Sequence, residues 1–135
     1  MFYFCIKNNR AGFIMDKHVF YLEDNDINFQ VAEAMLELLG INKVTRFNSI
    51  AEINDFVQTK SSEAADLLLL DIMLPDGNSL SILPEMKKHF SCPIVAFTAK
   101  SRPQEIDALK DAGFIDVFVK PIDFSCFEEK VLTLL

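Results

Sequence analysis

Five residues with side chains suited to metal binding and phosphoryl chemistry each follow an apolar run in this chain. Glu23 and Asp24 come after "HVFYL", Asp71 after four leucines, Thr98 after "PIVAF" and Lys120 after "IDVFV". Carboxylates that lie within a few ångströms of one another need a raised pKa or a cation between them at neutral pH. Oxygen ligands favour Mg²⁺, and a lysine and a hydroxyl beside such an ion would stabilise a phosphoryl group during transfer. An aspartate can itself accept that group as an aspartyl phosphate.

Each of these residues also has an ordinary structural interpretation when it is taken alone. Glu23 and Asp24 would suit a solvated loop or a helix cap, and Asp71 would suit a turn or a helix N-cap. Thr98 is a typical strand residue, and Lys120 precedes a proline, as surface lysines in turns often do. The functional interpretation therefore depends on whether the fold gathers these side chains in one place.

Short strand patterns alternate with helical patterns along the chain. The predicted strands are His18–Leu22, Lys43–Phe47, Asp66–Leu70, Pro93–Phe97 and Ile115–Val119. A βα unit repeated five times predicts an α/β fold, a doubly wound parallel sheet with helices on both faces. A central parallel strand is buried on both sides, which explains the uninterrupted leucines. Ligands of such sheets bind beyond the carboxyl ends of the strands, where all five candidate residues fall.

Helical spacing and capping residues place the helices between these strands. The first helix is predicted from the spacing of Ile27, Val31, Ala34, Met35, Leu38 and Leu39. Capping boxes at Ser49 with Glu52, and at Ser101 with Gln104, predict two further helix starts. Gly113 is expected to close the second of these helices, and Asp123 to cap the last one.

Composition and length narrow the classes of protein. A chain of 135 residues forms one domain with room for a two-sided core. Its formal net charge is −7 and it has no basic patch, so we expect no binding of nucleic acid. Cys5, Cys92 and Cys126 have no metal-binding spacing, which is typical of free thiols in a reducing compartment. No apolar run reaches the ~20 residues of a membrane-spanning helix, so we expect a cytoplasmic domain without membrane contact.

Residues 1–15 precede the alternating pattern and have several interpretations. The stretch "MFYFCI" is compatible with an extra edge strand, with an upstream linker or with a leader before a start at Met15. It lacks the basic region and the apolar length of a signal peptide. We interpret residues 1–15 as an N-terminal tail or linker and residues 16–135 as the domain.

Four motifs in order closely resemble the receiver domain of two-component response regulators. These are "YLEDN", "LLLLDIMLPDG", "IVAFTAK" and "VFVKPID", and the resemblance spans roughly residues 16–135. A fifth, "EDNDIN", is similar to receivers attached to hybrid sensor histidine kinases. The resemblance implies a flavodoxin-like receiver fold with strand order 2-1-3-4-5 and a cis peptide bond before Pro121.

The resemblance also assigns roles around a phosphoryl group. Asp71 would accept the group, Lys120 would pair with the Asp71 carboxylate or the phosphoryl oxygens, and Thr98 would act as the switch hydroxyl. The donor would be a histidine kinase or a histidine phosphotransfer protein. Output would pass through protein–protein contacts, with the domain a monomer or a phosphorylation-dependent dimer. The domain would catalyse only its own phosphorylation and dephosphorylation, and would not be an enzyme acting on other substrates.

The metal site follows from the same resemblance. Asp24 and Asp71 would bind Mg²⁺ directly, together with the backbone carbonyl of Met73. Glu23 would hold a metal-bound water, and Mn²⁺ could substitute for Mg²⁺.

Two positions depart from the family pattern. Ser79 stands where the family often has glycine. Val117 stands where it usually has tyrosine or phenylalanine, three residues before the lysine, and the adjacent Phe118 should point to the opposite face of its strand. The phosphorylation chemistry is therefore expected to be intact, whereas the usual aromatic output switch is missing.

Two other functions stay open at this point. A phosphatase of the haloacid-dehalogenase type would need a second acid two residues after the nucleophile, where this chain has Met73. A receiver-fold interaction module that is not regulated by phosphorylation would not need the full set of acids, hydroxyl and lysine.

Overall fold

A five-stranded parallel sheet forms the centre of the computed structural model, which describes residues 14–59 and 63–135. The strands are β1 (His18–Leu22), β2 (Lys43–Phe47), β3 (Leu67–Asp71), β4 (Ile94–Thr98) and β5 (Asp116–Val119). Their order is β2-β1-β3-β4-β5, and every neighbouring pair is parallel. The predicted fold class and strand order are therefore confirmed. The third strand lies one residue later than predicted and ends on Asp71 itself.

Five helices cover the two faces of the sheet. They are α1 (Asp26–Leu38), α2 (Ile50–Gln58), α3 (Leu83–His89), α4 (Pro103–Ala112) and α5 (Phe124–Leu134). Helices α1 and α5 pack on one face, and α2, α3 and α4 pack on the other. A two-stranded antiparallel ribbon, Met73–Leu74 with Gly77–Asn78, and a 3-10 turn, Ser79–Ile82, connect β3 to α3.

The four leucines of β3 lie at the middle of the molecule. Leu67, Leu68, Leu69 and Leu70 have no exposed surface. Successive side chains alternate between the two faces, so that Leu67 and Leu69 pack toward α1 and α5 while Leu68 and Leu70 pack toward α2 and α3. Removing such surface from water stabilises the fold by about 25 cal/mol per Å². This strand holds the following carboxylate on a rigid support.

The helix starts confirm two of the three predicted caps. Ser49 caps α2 by accepting from the Glu52 N–H at 3.1 Å, and Asp123 caps α5 by accepting from the Cys126 N–H at 2.9 Å. The cap predicted at Ser101 is wrong, because α4 begins after Arg102, which makes no side-chain capping bond. The Arg102 side chain instead pairs with Glu105 in the first turn of the helix. Proline in that first turn makes the helical start favourable without a cap.

The buried face of α1 differs from the one that apolar spacing suggests. Met35 is buried and Leu39, just after the helix, is buried too, but Ile27, Val31 and Leu38 are exposed. The core is instead reached by Phe29, Ala32 and Leu36. Periodicity located the helix correctly, but its apolar residues occur on both sides, so spacing alone did not determine which side faces the sheet.

The expectation for residues 1–15 falls mostly outside the described residues. Met15 is described, and its N–H donates to the Gly40 carbonyl at 2.7 Å. Cys92 and Cys126, the cysteines within the described ranges, are free thiols. Across residues 14–59 and 63–135, no helix has both the length and the apolar character needed to cross a membrane.

Two leucines in α1 test the orientation of this helix. Leu36 is fully buried, whereas Leu38 is 45% exposed. Replacing Leu36 by alanine should lower the free energy of unfolding by about 2–5 kcal/mol, because it leaves a cavity. The same change at Leu38 should cost about 1 kcal/mol or less. Urea denaturation of both variants measures the difference, and similar losses would show that the helix is rotated from the orientation described here.

Candidate functional site

Three carboxylates meet at the carboxyl-terminal edge of the sheet. Glu23 and Asp24 follow β1, and Asp71 ends β3, the neighbouring strand. One oxygen from each of the three lies within 4.8 Å of the others. Glu23 has no exposed surface, Asp71 is 8% exposed and Asp24 is exposed. The set of donors is oxygen only and opens to solvent on one side, as a hexa-coordinate magnesium ion that keeps several waters requires.

The Glu23 carboxylate is bound by three donors. Lys120 Nζ donates to Glu23 Oε1 at 2.7 Å, and the Tyr21 hydroxyl donates to the same oxygen at 3.1 Å. The Asn25 N–H donates to Oε2 at 3.2 Å. Burial would by itself raise the pKa of Glu23, but the Lys120 ammonium group, the neighbouring Asp71 carboxyl and the Asn25 N–H hold it below its ordinary value. The buried carboxylate therefore stays ionised.

Asp71 is the second acid beside the same lysine. Lys120 Nζ lies 3.3 Å from Asp71 Oδ2. Burial and the neighbouring Glu23 carboxylate raise the pKa of Asp71 to about 7, although Lys120 opposes the shift. Two carboxylates this close share one proton more readily than they both ionise, unless a cation joins them. A divalent cation at this edge would hold both acids in their charged form.

Lys120 is placed by the end of β5. Its N–H donates to the Thr98 carbonyl at 2.7 Å, which extends the pairing of β4 with β5 by one residue. The peptide bond between Lys120 and Pro121 is cis, as the resemblance implies. The ammonium group also lies 5.5 Å from the centre of the Phe97 ring. The Lys120 side chain therefore crosses the end of β4 and reaches Glu23, after β1, and Asp71, at the end of β3.

Thr98 is the last residue of β4 and lies at the same edge. It is buried, and its Oγ1 accepts from the Lys100 N–H at 3.1 Å. In the register of β3 with β4, Asp71 lies opposite Phe97, so that Thr98 is one residue beyond the level of Asp71. The hydroxyl is therefore tied to the loop that leads into α4.

The loop after Asp71 is fixed by contacts with a different helix. Asp76 accepts from the N–H groups of Ile50 at 3.1 Å and Ala51 at 3.0 Å, at the start of α2. These hydrogen bonds lower the pKa of Asp76. Met73, in the short ribbon, is 61% exposed as a residue, and it lies two residues beyond Asp71. The position of this loop is therefore fixed by α2 as well as by β3.

Three residues of this region were not predicted from the sequence. Tyr21 reads as an ordinary strand residue, and Asp76 as an ordinary turn residue in "PDG". Arg46 reads as a polar position of β2, but its Nε donates to the Glu23 carbonyl at 3.0 Å and it pairs with Asp26 at 2.8 Å. Arg46 and Asp76 gain their roles from residues far away in the chain, and Tyr21 gains its role from the side chain two residues on, which a strand pattern alone does not single out.

The two residues at the position of the missing aromatic switch point to opposite faces, as predicted. Val117 packs in the layer that faces α2, α3 and α4, whereas Phe118 packs in the layer that faces α1 and α5. Phe118 contacts Phe97 edge to face at 5.6 Å. Phe118 therefore does not substitute for an aromatic side chain on the Val117 face.

Comparisons of the sequence and of the fold with known proteins match the same family. The family model of the response regulator receiver domain matches residues 19–132. The transcriptional regulatory protein CrdR of Helicobacter pylori is 29% identical over 119 residues, which are 87% of this chain and 54% of CrdR. This chain thus spans about half of that relative.

Two solved structures share the fold. A two-component response regulator from Clostridium difficile has a TM-score of 0.77 at 24% identity, covering 88% of this chain and 95% of that one. The receiver domain of sensor histidine kinase PA1611 from Pseudomonas aeruginosa has a TM-score of 0.72 at 25% identity, covering 89% of this chain and 98% of that one. The PA1611 domain carries a magnesium ion coordinated in its active-site cleft.

Proposed function

This chain belongs to the response regulator receiver domain family, the signalling domains of two-component systems, and from that premise we propose that Asp71 is its phosphoacceptor. One observation supports this assignment above the others. Lys120 Nζ lies 3.3 Å from the Asp71 carboxylate at the mouth of the sheet, beside two further acids. A nucleophilic carboxylate, a cation and oxygen ligands for a metal are the groups that phosphoryl transfer to an aspartate requires.

In the proposed reaction an oxygen of the Asp71 carboxylate forms a bond to phosphorus. The bond from phosphorus to the donor imidazole breaks, and its electron pair stays on the nitrogen, which takes a proton. Lys120 stabilises the charge on the phosphoryl oxygens. Later attack by water on phosphorus gives inorganic phosphate and restores the carboxylate. The domain thereby catalyses its own phosphorylation and dephosphorylation.

The three carboxylates fit Mg²⁺, and Mn²⁺ has similar ligand preferences. Asp24 and Asp71 would hold the ion directly, with the backbone carbonyl of Met73, while Glu23 would hold one of its waters. When bound, the ion neutralises charge on the phosphoryl oxygens and draws the acids together in their ionised form. The magnesium in the cleft of the PA1611 receiver domain, a relative at 25% identity, supports this part of the proposal.

Receiver domains of response regulators interact with histidine kinases or phosphotransfer proteins. We propose a phosphohistidine on one of these as the donor for this chain. The similarity to a receiver domain within a sensor histidine kinase supports a place in a phosphorelay. Output would then pass through contacts with a partner protein.

The two alternatives receive no support from the site. The match to the receiver family argues against a phosphatase of the haloacid-dehalogenase type. That chemistry needs an acid two residues after the nucleophile, where this chain has the exposed Met73. An interaction module without phosphorylation would have no use for a fully buried, ionised Glu23 beside a lysine. Such a buried pair costs desolvation free energy, and a functional role explains its presence.

Phosphorylation would be transmitted through Thr98 rather than through residue 117. A charge-assisted hydrogen bond from the Thr98 hydroxyl to a phosphoryl oxygen is worth about 1.5–3 kcal/mol, which can shift a two-state loop by about ten- to a hundredfold. In the structure the hydroxyl accepts from the Lys100 N–H. A movement of the hydroxyl toward a phosphoryl group would therefore also move the loop that connects β4 to α4. Val117 is buried and restricted in χ1, and it has no ring to swing.

Phosphorylation of Asp71 is tested with acetyl phosphate and Mg²⁺, using intact-mass and peptide mass spectrometry. The parent chain should gain one phosphoryl group, on the peptide that contains Asp71. Asp71→Asn should abolish the label while keeping the fold, and EDTA should prevent it in the parent. Asp107→Asn, in an exposed turn of α4, is the matched control and should label normally. A label that persists in Asp71→Asn, or that is indifferent to EDTA, would refute the assignment.

The Thr98 route is tested by NMR with beryllofluoride and Mg²⁺. In the parent, amide shifts should change between residues 98 and 102 and at the start of α4, with little change in the Val117 methyl groups. Thr98→Ala should keep Asp71 phosphorylation within a few fold but lose most of these shifts, whereas Thr98→Ser keeps the hydroxyl and should retain them. Strong shifts at Val117 with a silent Thr98 loop would show that the signal takes another path.

A further inference from the structure

Tyr21 and Lys120 donate to the same oxygen of Glu23. The distances to Oε1 are 3.1 Å from the Tyr21 hydroxyl and 2.7 Å from Lys120 Nζ. Tyr21 is 1% exposed and Glu23 has no exposed surface, so these hydrogen bonds are sheltered from bulk water. We infer that Tyr21 is a positioning residue of the phosphorylation site, whose hydroxyl holds the Glu23 carboxylate in place when Lys120 turns to the phosphoryl group. This inference rests on the proposed function.

Lys120 has two anionic neighbours and one positive charge. In the structure it lies closer to Glu23 than to Asp71, at 2.7 Å against 3.3 Å. A phosphoryl group on Asp71 would bring a charge of about −1.5 to −2 to the second neighbour. The stronger negative charge would draw the ammonium group away from Glu23. Glu23 Oε1 would then keep Tyr21 as its side-chain donor, while the Asn25 N–H stays on Oε2.

Without Tyr21, that movement would leave a buried carboxylate oxygen without a donor. An unsatisfied buried acceptor carries a large desolvation penalty, and the penalty is larger for a charged group. Glu23 would then turn away from this position, and it could no longer orient a metal-bound water. Hydrogen bonds from residues behind the ligands commonly change metal affinity by about 10- to 100-fold when they are removed.

The Tyr21 ring is fixed so that the hydroxyl has one place to point. The ring stacks on Phe97 with centroids 5.8 Å apart, and it lies at the same distance from the Phe29 ring at a tilt. Tyr21 and Glu23 are two residues apart on an extended segment, so their side chains share one face. The hydroxyl is therefore directed at Glu23 Oε1, to which it donates at 3.1 Å.

A double-mutant cycle separates this role from simple packing. The variants are Tyr21→Phe, Lys120→Met and their combination, with Mg²⁺ affinity measured by NMR titration. Tyr21→Phe keeps the stacked ring and removes only the hydroxyl. It should weaken Mg²⁺ binding a few fold in the parent, where Lys120 still holds Glu23. In the Lys120→Met background the same change should weaken it by about tenfold or more, because neither Tyr21 nor Lys120 then donates to Oε1.

Controls make each outcome decisive. Thr133→Ala removes an exposed hydroxyl near the end of α5, where it donates to the Glu129 carbonyl, and should leave Mg²⁺ affinity unchanged in both backgrounds. Urea denaturation should show every variant folded at the titration temperature. A larger loss in the Lys120→Met background supports the inference, whereas equal losses in the two backgrounds, or none, would overturn it. If the parent takes up no phosphoryl group on Asp71, the proposed function is overturned. If the parent is phosphorylated but the losses of Mg²⁺ affinity are equal, only the role of Tyr21 is overturned.

Discussion

The Lys120 ammonium group lies between two carboxylates that would otherwise repel each other. Glu23 is buried without exposed surface, and Asp71 is nearly so, 2.7 Å and 3.3 Å from the same nitrogen. Burying one such charge is unfavourable unless it is paired and hydrogen-bonded. The site is therefore stable only if three strands bring their ends to one edge. In the observed order, β1 lies beside β3, and β4 separates β3 from β5, so that Lys120 reaches the two acids across the end of β4.

The rest of the fold keeps these groups in register. The buried leucines of β3 hold Asp71 in place, and the hydrogen bond from the Lys120 N–H to the Thr98 carbonyl holds the backbone of Lys120 in place. Asp76 ties the loop after Asp71 to the first turn of α2, which keeps the backbone of Met73 near the same edge. Held in this way, the acids would need little reorganisation to receive a cation, and preorganised charge is usually the largest contribution to catalysis at phosphoryl-transfer sites.

The sequence was sufficient for the architecture because its signals are local and repeated. Strand patterns predicted the sheet, and the polar residues after the strands predicted the edge where Asp24, Asp71 and Lys120 meet. The strand order was implied by the resemblance to receiver domains. The sequence was insufficient where the outcome depends on packing between distant residues. The buried side of α1 was not determined by spacing, since apolar residues occur on both sides, and Arg102 rather than Ser101 precedes α4. Tyr21 was missed because its hydroxyl gains a role only next to Glu23 and Lys120.

We propose a division of roles, in which the acids would hold the metal ion and Lys120 would stabilise the phosphoryl group. The most direct measurement is a Mg²⁺ titration of Asp24→Asn and Lys120→Met, followed by the rate at which each is phosphorylated by acetyl phosphate. Asp24→Asn should bind Mg²⁺ much more weakly, because it loses a direct ligand. Lys120→Met should bind Mg²⁺ about as well as the parent but take up the phosphoryl group far more slowly. Equal losses of Mg²⁺ affinity in both variants would contradict this division.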